Sequence, residues 1–136
     1  MSDSYLDTST FGDVPELKIL DDGDEVQLRV VSAELGKSKK DKAQLVIRLD
    51  SPDDPLVDDM YLYLTWPTED LKQEDPKKFT KSVRYLNDFW ACFGIDATSG
   101  VDIANDLVGS RGWCLIGQEE YEGQMKNKIK KFVKGA

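Results

Sequence analysis

Histidine is absent from all 136 residues. With it go the commonest general base near neutral pH, the commonest metal ligand and every Ser-His or Cys-His pairing. Carboxylates can still hold Mg²⁺, so an enzyme is disfavoured rather than excluded. Cysteine is scarce. Cys92 and Cys114 are the only two, they form no metal-like pair, and they read as buried thiols in a reducing compartment. No stretch reaches the apolar length of a membrane span. The opening MSDSYLDTSTFGD lacks the basic and apolar regions of a signal peptide, so a cytoplasmic protein is expected. No cofactor and no metal are expected, and no membrane partner.

What is present is enough chain for one domain with a real core, and 40% apolar residues to build it. The net charge of −8 argues at first against a nucleic-acid partner. Its distribution changes that. Residues 1–25, 51–76 and 96–123 carry net −7, −7 and −5, while residues 26–50, 77–95 and 124–136 carry +3, +3 and +5. Separated blocks can leave a basic groove on an acidic body. The local potential decides over a Debye length, about 8–10 Å.

Residues 1–22 hold few apolar groups and no sustained period. They read as an acidic, partly flexible arm, with Phe11, Val14 and Leu17 as candidates for docking. A folded domain over residues 23–134 follows. From Asp24, Val26, Leu28 and Val30 alternate with Gln27, Arg29 and Val31, a strand that ends at Gly36. Lys37, Lys39, Lys40 and Lys42 then crowd a mobile loop. It is either an ordinary solvated connection or a clamp for phosphates, since an ammonium on a long stem needs little geometry.

The second strand, Ala43 to Asp50, sets Leu45, Ile47 and Leu49 against Gln44, Val46 and Arg48. Ser51-Pro52-Asp53-Asp54-Pro55 is a turn. A third strand, Leu56 to Trp66, sets Met60, Leu62 and Leu64 against Tyr61, Tyr63 and Thr65. An antiparallel pairing places the tyrosines opposite the set Gln44, Val46 and Arg48. Half-exposed strand tyrosines are common, but two of them next to Arg48 and a lysine loop also make a surface on which bases can stack. Asp75-Pro76 starts a helix, Phe79, Val83, Leu86, Trp90 and Phe93 give it a core stripe, and Gly94 ends it. Lys77, Lys78, Lys81 and Arg84 fall on its solvated side, where they serve solubility. A short helix, Val101 to Leu107, closes at Gly109.

Residues 111–133 read as a β-hairpin. Trp113 to Ile116 forms one arm, Gly123 lies in the connection, and Gln124 to Lys130 returns. Met125, Asn127 and Ile129 point one way, and Lys126, Lys128 and Lys130 the other. Tyr121 sits at the tip. A solvated edge strand guarded by lysines competes here with a surface for single-stranded nucleic acid.

The order of strand, basic loop, two strands, long helix and two strands predicts a mainly β, five-stranded OB-fold, a Greek-key β-barrel with one long helix between strands 3 and 4. Strands 2 and 3 and the two neighbouring loops form its usual ligand face. There Lys37, Lys39, Lys40, Lys42, Arg48, Tyr61, Tyr63, Tyr121, Lys126, Lys128 and Lys130 are the expected nucleic-acid-binding residues.

Leu107-Val108-Gly109, then a strand, Glu119-Glu120-Tyr121-Glu122-Gly123-Gln124, Asn127 and Ile129-Lys130 resemble the C-terminal half of bacteriophage single-stranded DNA-binding proteins of the OB type. The resemblance covers residues 20–133 in element order and is carried by 107–132. It implies a non-enzymatic protein of the bacterial host cytoplasm that coats single strands in phage replication or recombination. Many proteins of that function end in an acidic tail that recruits partners. Here the C-terminus is basic and the acidic arm is N-terminal, which puts that recruitment in doubt or moves it to the other end.

The expected partners are single-stranded DNA and, through the acidic segments, replication or recombination proteins. A homodimer is an allowed state. Two other classes compete: a Mg²⁺ nuclease built on Asp53, Asp54, Asp58 and Asp59, and an adaptor whose acidic blocks dock proteins or imitate DNA. Two prolines and no nearby base make a solvated turn the better reading of those four aspartates.

Overall fold

The alternating segments form strands β1 (Glu25–Lys37), β2 (Ala43–Asp50) and β3 (Met60–Thr65). The structure is a computed structural model that describes residues 4–12 and 15–133. Across the antiparallel β2–β3 ladder, Leu45, Ile47 and Leu49 oppose Leu64, Leu62 and Met60, and all six are buried. The other face sets Val46 against Tyr63 and Arg48 against Tyr61, which keeps the two expected sets on one face and fixes their register.

β1 runs one residue past Gly36 and serves two partners. Its C-terminal part pairs with β2, and Glu25–Arg29 pairs with β4 (Arg111–Tyr121). The register slips between Val30 and Ser32. This bulge switches the inward set from Leu28 and Val30 to Ala33 and bends the strand between its two partners.

The expected hairpin is present. β5 (Gln124–Phe132) returns on β4 through Glu122 and Gly123, at φ 51° and 79°. Two consecutive positive φ values give a turn whose twist matches that of the strands. A second register slip lies between Leu115, opposite Lys131, and Ile116, opposite Ile129. Lys130 is left without an opposite residue. The inward side chains Ile129 and Phe132 are therefore three apart, and the expected alternation of lysines holds through Lys128 but breaks at Lys130.

The sheet order is β3-β2-β1-β4-β5, antiparallel throughout. Among the described residues no ladder joins β3 to β5, so the sheet is not closed.

Two helices follow β3. The short α1 (Glu69–Glu74) lies in a stretch that reads only as polar, and Thr68 caps it through its hydroxyl. The long α2 (Pro76–Phe93) starts on the Asp75 cap, whose carboxylate accepts from the Lys78 N–H, and ends at Gly94 with φ 67°. Its buried side is centred on Leu86, Phe89 and Phe93, which puts Phe79, Val83 and Trp90 at the margin rather than in the middle. Phe89, outside the expected stripe, has no solvent exposure and packs 4.6 Å from Phe93 and 5.7 Å from Phe132, centroid to centroid. Burying such a ring contributes about 1.5–3 kcal/mol over leaving it in water. The expected helix at Val101–Leu107 is one π-type turn, Ile103–Leu107. Among the described residues no helix is long and apolar enough to cross a membrane.

β3 begins at Met60, later than the expected Leu56. Leu56 and Val57 instead meet the N-terminal segment. The Lys18 N–H donates to the Leu56 carbonyl at 2.7 Å, and Lys18 bridges Val57 in parallel. Phe11 and Leu17, the candidates for docking, are 72% and 57% exposed; Val14 lies outside the described residues. Leu20 packs on the core instead. Its N–H donates to Asn127 Oδ1 at 2.8 Å, and its carbonyl accepts from Asn127 Nδ2 at 2.9 Å and Gln118 Nε2 at 2.8 Å. Residues 18–20 thus link the segment before β3 to β5, across the opening of the sheet.

Candidate nucleic-acid interface

Beside that opening lies a cleft of about 500 Å³ between the outer face of β3 and the tip of the β4–β5 hairpin. Period-two geometry puts Tyr61 and Tyr63 on one wall, because Met60, Leu62 and Leu64 take the inward positions. The hairpin turn brings Tyr121 and Lys126 to the other wall. Tyr61, Tyr63 and Tyr121 are 55%, 62% and 55% exposed. An unpartnered core ring would not be left so open, and none of the three is needed to fill the interior. The Tyr61 and Tyr63 rings lie 6.4 Å apart and 18° from parallel. Lys126 Nζ sits 5.3 Å from the Tyr121 ring centroid, within reach of a cation–π attraction.

The expected site residues sort into three groups. Arg48, Tyr61, Tyr63, Tyr121 and Lys126 line the cleft together. Lys39 and Lys40 line an adjoining hollow that shares Tyr63. Their loop is a closed turn: Ser38 N–H donates to Lys42 O, Asp41 N–H to Ser38 O, and Lys42 N–H to Ser38 Oγ. Lys37, Lys42, Lys128 and Lys130 stand outside both. Lys130 lies 3.5 Å from Asp22, and Lys128 lies against Gly117 near the same carboxylate.

Several of these cations already have acids. Arg48 Nε donates to Asp59 Oδ2 at 2.6 Å, Lys42 Nζ to Glu74 Oε2 at 3.0 Å, and Lys37 lies 3.3 Å from Asp41. Hydrogen bonding to Asp59 raises the Arg48 pKa above its ordinary value, and hydrogen bonding to Glu74 does the same for Lys42. All are exposed pairs, weak enough in water to exchange one anion for another. Lys39, Lys40 and Lys128 have no acid within ion-pair distance among the described residues.

The cleft also holds features that sequence patterning missed. Ile19 of the N-terminal segment forms part of its wall, and so does Asn127, which alternation sets on the face of Met125 and Ile129 and which is absent from the expected binding residues. Asp58, Asp59 and Glu119 bring negative charge to it. Glu119 had a signal, since it stands opposite Lys126 in a two-residue hairpin. Asn127 stands among the residues that carry the family resemblance, but its bond to Leu20, 107 residues away, has no sequence signal.

Of the four aspartates weighed as metal ligands, Asp54 accepts from Lys18 Nζ at 2.9 Å and Asp59 from Arg48. Among the described residues no three His, Cys, Asp or Glu side chains are grouped to hold a metal ion. Cys92 and Cys114 are free and buried, and burial pushes both thiols above their ordinary pKa. No family model matches the chain, and no curated protein matches it significantly.

Proposed function

We propose that this protein binds single-stranded DNA with little sequence preference and coats it during replication or recombination, without catalysing a reaction. The observation that carries the reading is the cleft itself: three half-exposed tyrosines on two facing walls, with Arg48 and Lys126 among them. Aromatic faces take any base, and each stacked base contributes about 1–3 kcal/mol. Bases are reachable this way only when unpaired, so duplex is the poorer ligand. The strand order, with a long helix between β3 and β4, supports reading the sheet as an OB-type Greek-key barrel. On that reading the cleft occupies the usual ligand face. The phage family named above fits the same reading, and a bacterial host cytoplasm fits it too.

Asp58, Asp59 and Glu119 in the cleft favour a second reading, an adaptor that takes a basic protein segment. One titration separates the two. Labelled oligo-dT and duplex of equal length are titrated at low salt, with tyrosine and tryptophan fluorescence followed. Saturable quenching by oligo-dT, reversed by salt and weaker for duplex, is the expected result. No response to oligo-dT, with binding of a lysine-rich peptide, moves the assignment to the adaptor. Metal-dependent loss of the oligonucleotide moves it to a nuclease.

A further inference from the structure

The cleft does not end at Tyr63. That ring also lines a hollow against α2, whose walls include Lys78, Lys81 and Tyr85. Tyr85 in turn lines a third hollow with Lys130, Lys131 and Phe132. The two tyrosines therefore connect the hollows into one track along the unclosed margin between β3 and β5 and over the N-terminal half of α2. Its chemistry repeats that of the cleft. Tyr85 is half-exposed, and its ring is braced by Phe132 at 5.2 Å between centroids. Lys78, Lys81 and Lys131 have no acid within ion-pair distance among the described residues. Among the described residues Asp88 is the one acid lining the third hollow, and Lys130 there is held by Asp22.

On the reading that the cleft binds single strands, we infer that the strand continues past Tyr63 onto α2. Lys78, Lys81 and Lys131 meet its phosphates, and Tyr85 meets a base. The helix lysines then belong to the binding site rather than to a solvated face kept for solubility. The occupant follows from charge and shape. The track runs through three adjoining hollows lined by Lys78, Lys81 and Lys131, without ion-pair partners among the described residues, and by the rings of Tyr63 and Tyr85. That lining suits a flexible polyanion carrying flat groups.

The test is length dependence. Native protein and the Lys78→Gln/Lys81→Gln variant are titrated with oligo-dT of about 6, about 10 and about 16 nucleotides, a range that brackets known site sizes. Both lysines are exposed, so the variant should melt as the native protein does. Native affinity should rise with length. The variant should match it on the shortest oligonucleotide and fall about 25-fold behind on the longest at about 0.1 M salt, since two phosphate contacts contribute about 1.4 to the salt slope. Photocrosslinking with iodouracil oligonucleotides should label Tyr85 only with the longer strands. Equal affinity of native protein for all lengths, or no loss in the variant, overturns the track and leaves the cleft standing. Failure to bind even the shortest strand overturns both. A variant that loses poly-glutamate binding but keeps oligo-dT assigns the helix face to an acidic protein instead.

Discussion

The lysine turn offers the sharpest test, because its four cations are not equivalent. Lys39 and Lys40 stand at the tip with no acid in ion-pair distance among the described residues, while Lys37 and Lys42 already hold Asp41 and Glu74. A phosphate meeting Lys39 or Lys40 displaces only counterions condensed on the nucleic acid. A phosphate meeting Lys37 or Lys42 must also free a carboxylate, which recaptures cations from solution and so cancels part of the release. Each full contact with a single strand contributes about 0.7 to the slope of log K against log salt. Lys39→Gln/Lys40→Gln should therefore flatten the slope by about 1.4. Between about 50 and about 200 mM salt the double variant should then lose about sevenfold less affinity than native protein. Lys37→Gln/Lys42→Gln should flatten it by clearly less. The assay is oligo-dT anisotropy at several salt concentrations, with thermal melts to confirm folding. Equal flattening by both pairs would refute the argument from ion-pair exchange, and an unchanged slope in both would return the turn to a merely solvated connection.

Four further outcomes are expected. Tyr61→Ala and Tyr63→Ala should each weaken single-strand binding by about 1–3 kcal/mol while the protein still melts cooperatively; normal affinity in the double variant sinks the stacking reading. Gly112→Ala should destabilise by about 1–3 kcal/mol in a denaturant melt. A Cβ there would stand 2.9 Å from the Cys92 carbonyl, the Cys92 sulfur and the Phe93 ring. The two thiols make stability fall in alkali. Burial raises their folded-state pKa, so their contribution is complete below the ordinary thiol value, about 8.5–9, and is lost above it at up to about 1.4 kcal/mol per pH unit each. Cys114→Ala should have a shallower slope than native protein in melts above about pH 9. Deleting residues 2–17 removes four acids and no base, and Tyr5, Leu6, Phe11 and Leu17 are all exposed. Affinity for oligo-dT should therefore rise at low salt with no change in melting temperature, and the gain should vanish at high salt; a lower melting temperature would show that the arm packs.

The legible parts of this fold are those set by short-range periodicity. Two faces of β2 and β3 follow from alternation alone, so the cleft tyrosines and Arg48 fall on one face by sequence pattern. The Asp75-Pro76 start and Gly94 end of α2 follow from capping chemistry, and Gly123 marks the hairpin turn. Bulges were not legible. A slipped register at Val31 or Lys130 leaves no residue signature, yet each turns the strand beyond it by one face. Phe89 was missed because Phe79, Val83, Leu86, Trp90 and Phe93 already satisfy helical spacing. Only packing against Phe132 decides which neighbouring stripe faces inward. The acid partners of Arg48 and Lys42, 11 and 32 residues away, follow from tertiary geometry that charge counting cannot see.

Those acid partners also decide how the proposed site divides its work. Inside the cleft, Arg48 is held by Asp59, and Lys126 lies opposite Glu119. Asp58 adds a third acid, so the charged side chains lining the cleft sum to −1, and attraction there rests on the tyrosine rings. Ammonium groups without an ion-pair partner among the described residues lie outward, at Lys39 and Lys40 on one side and at Lys78, Lys81 and Lys131 on the other. On the proposed function, an aromatic centre without net positive charge between basic margins would bind bases in the middle and phosphates at the ends. Fluorescence quenching then reports the centre, and salt dependence reports the margins. The two readouts should separate in mutants: tyrosine substitutions lower affinity at every salt concentration alike, whereas lysine substitutions change the slope. A site that bound through charge alone would move both together. That arrangement also reconciles the net charge of −8 with a polyanionic ligand. At a Debye length of about 8–10 Å a bound strand would feel the lysines beside it more than the acids on the remaining surface.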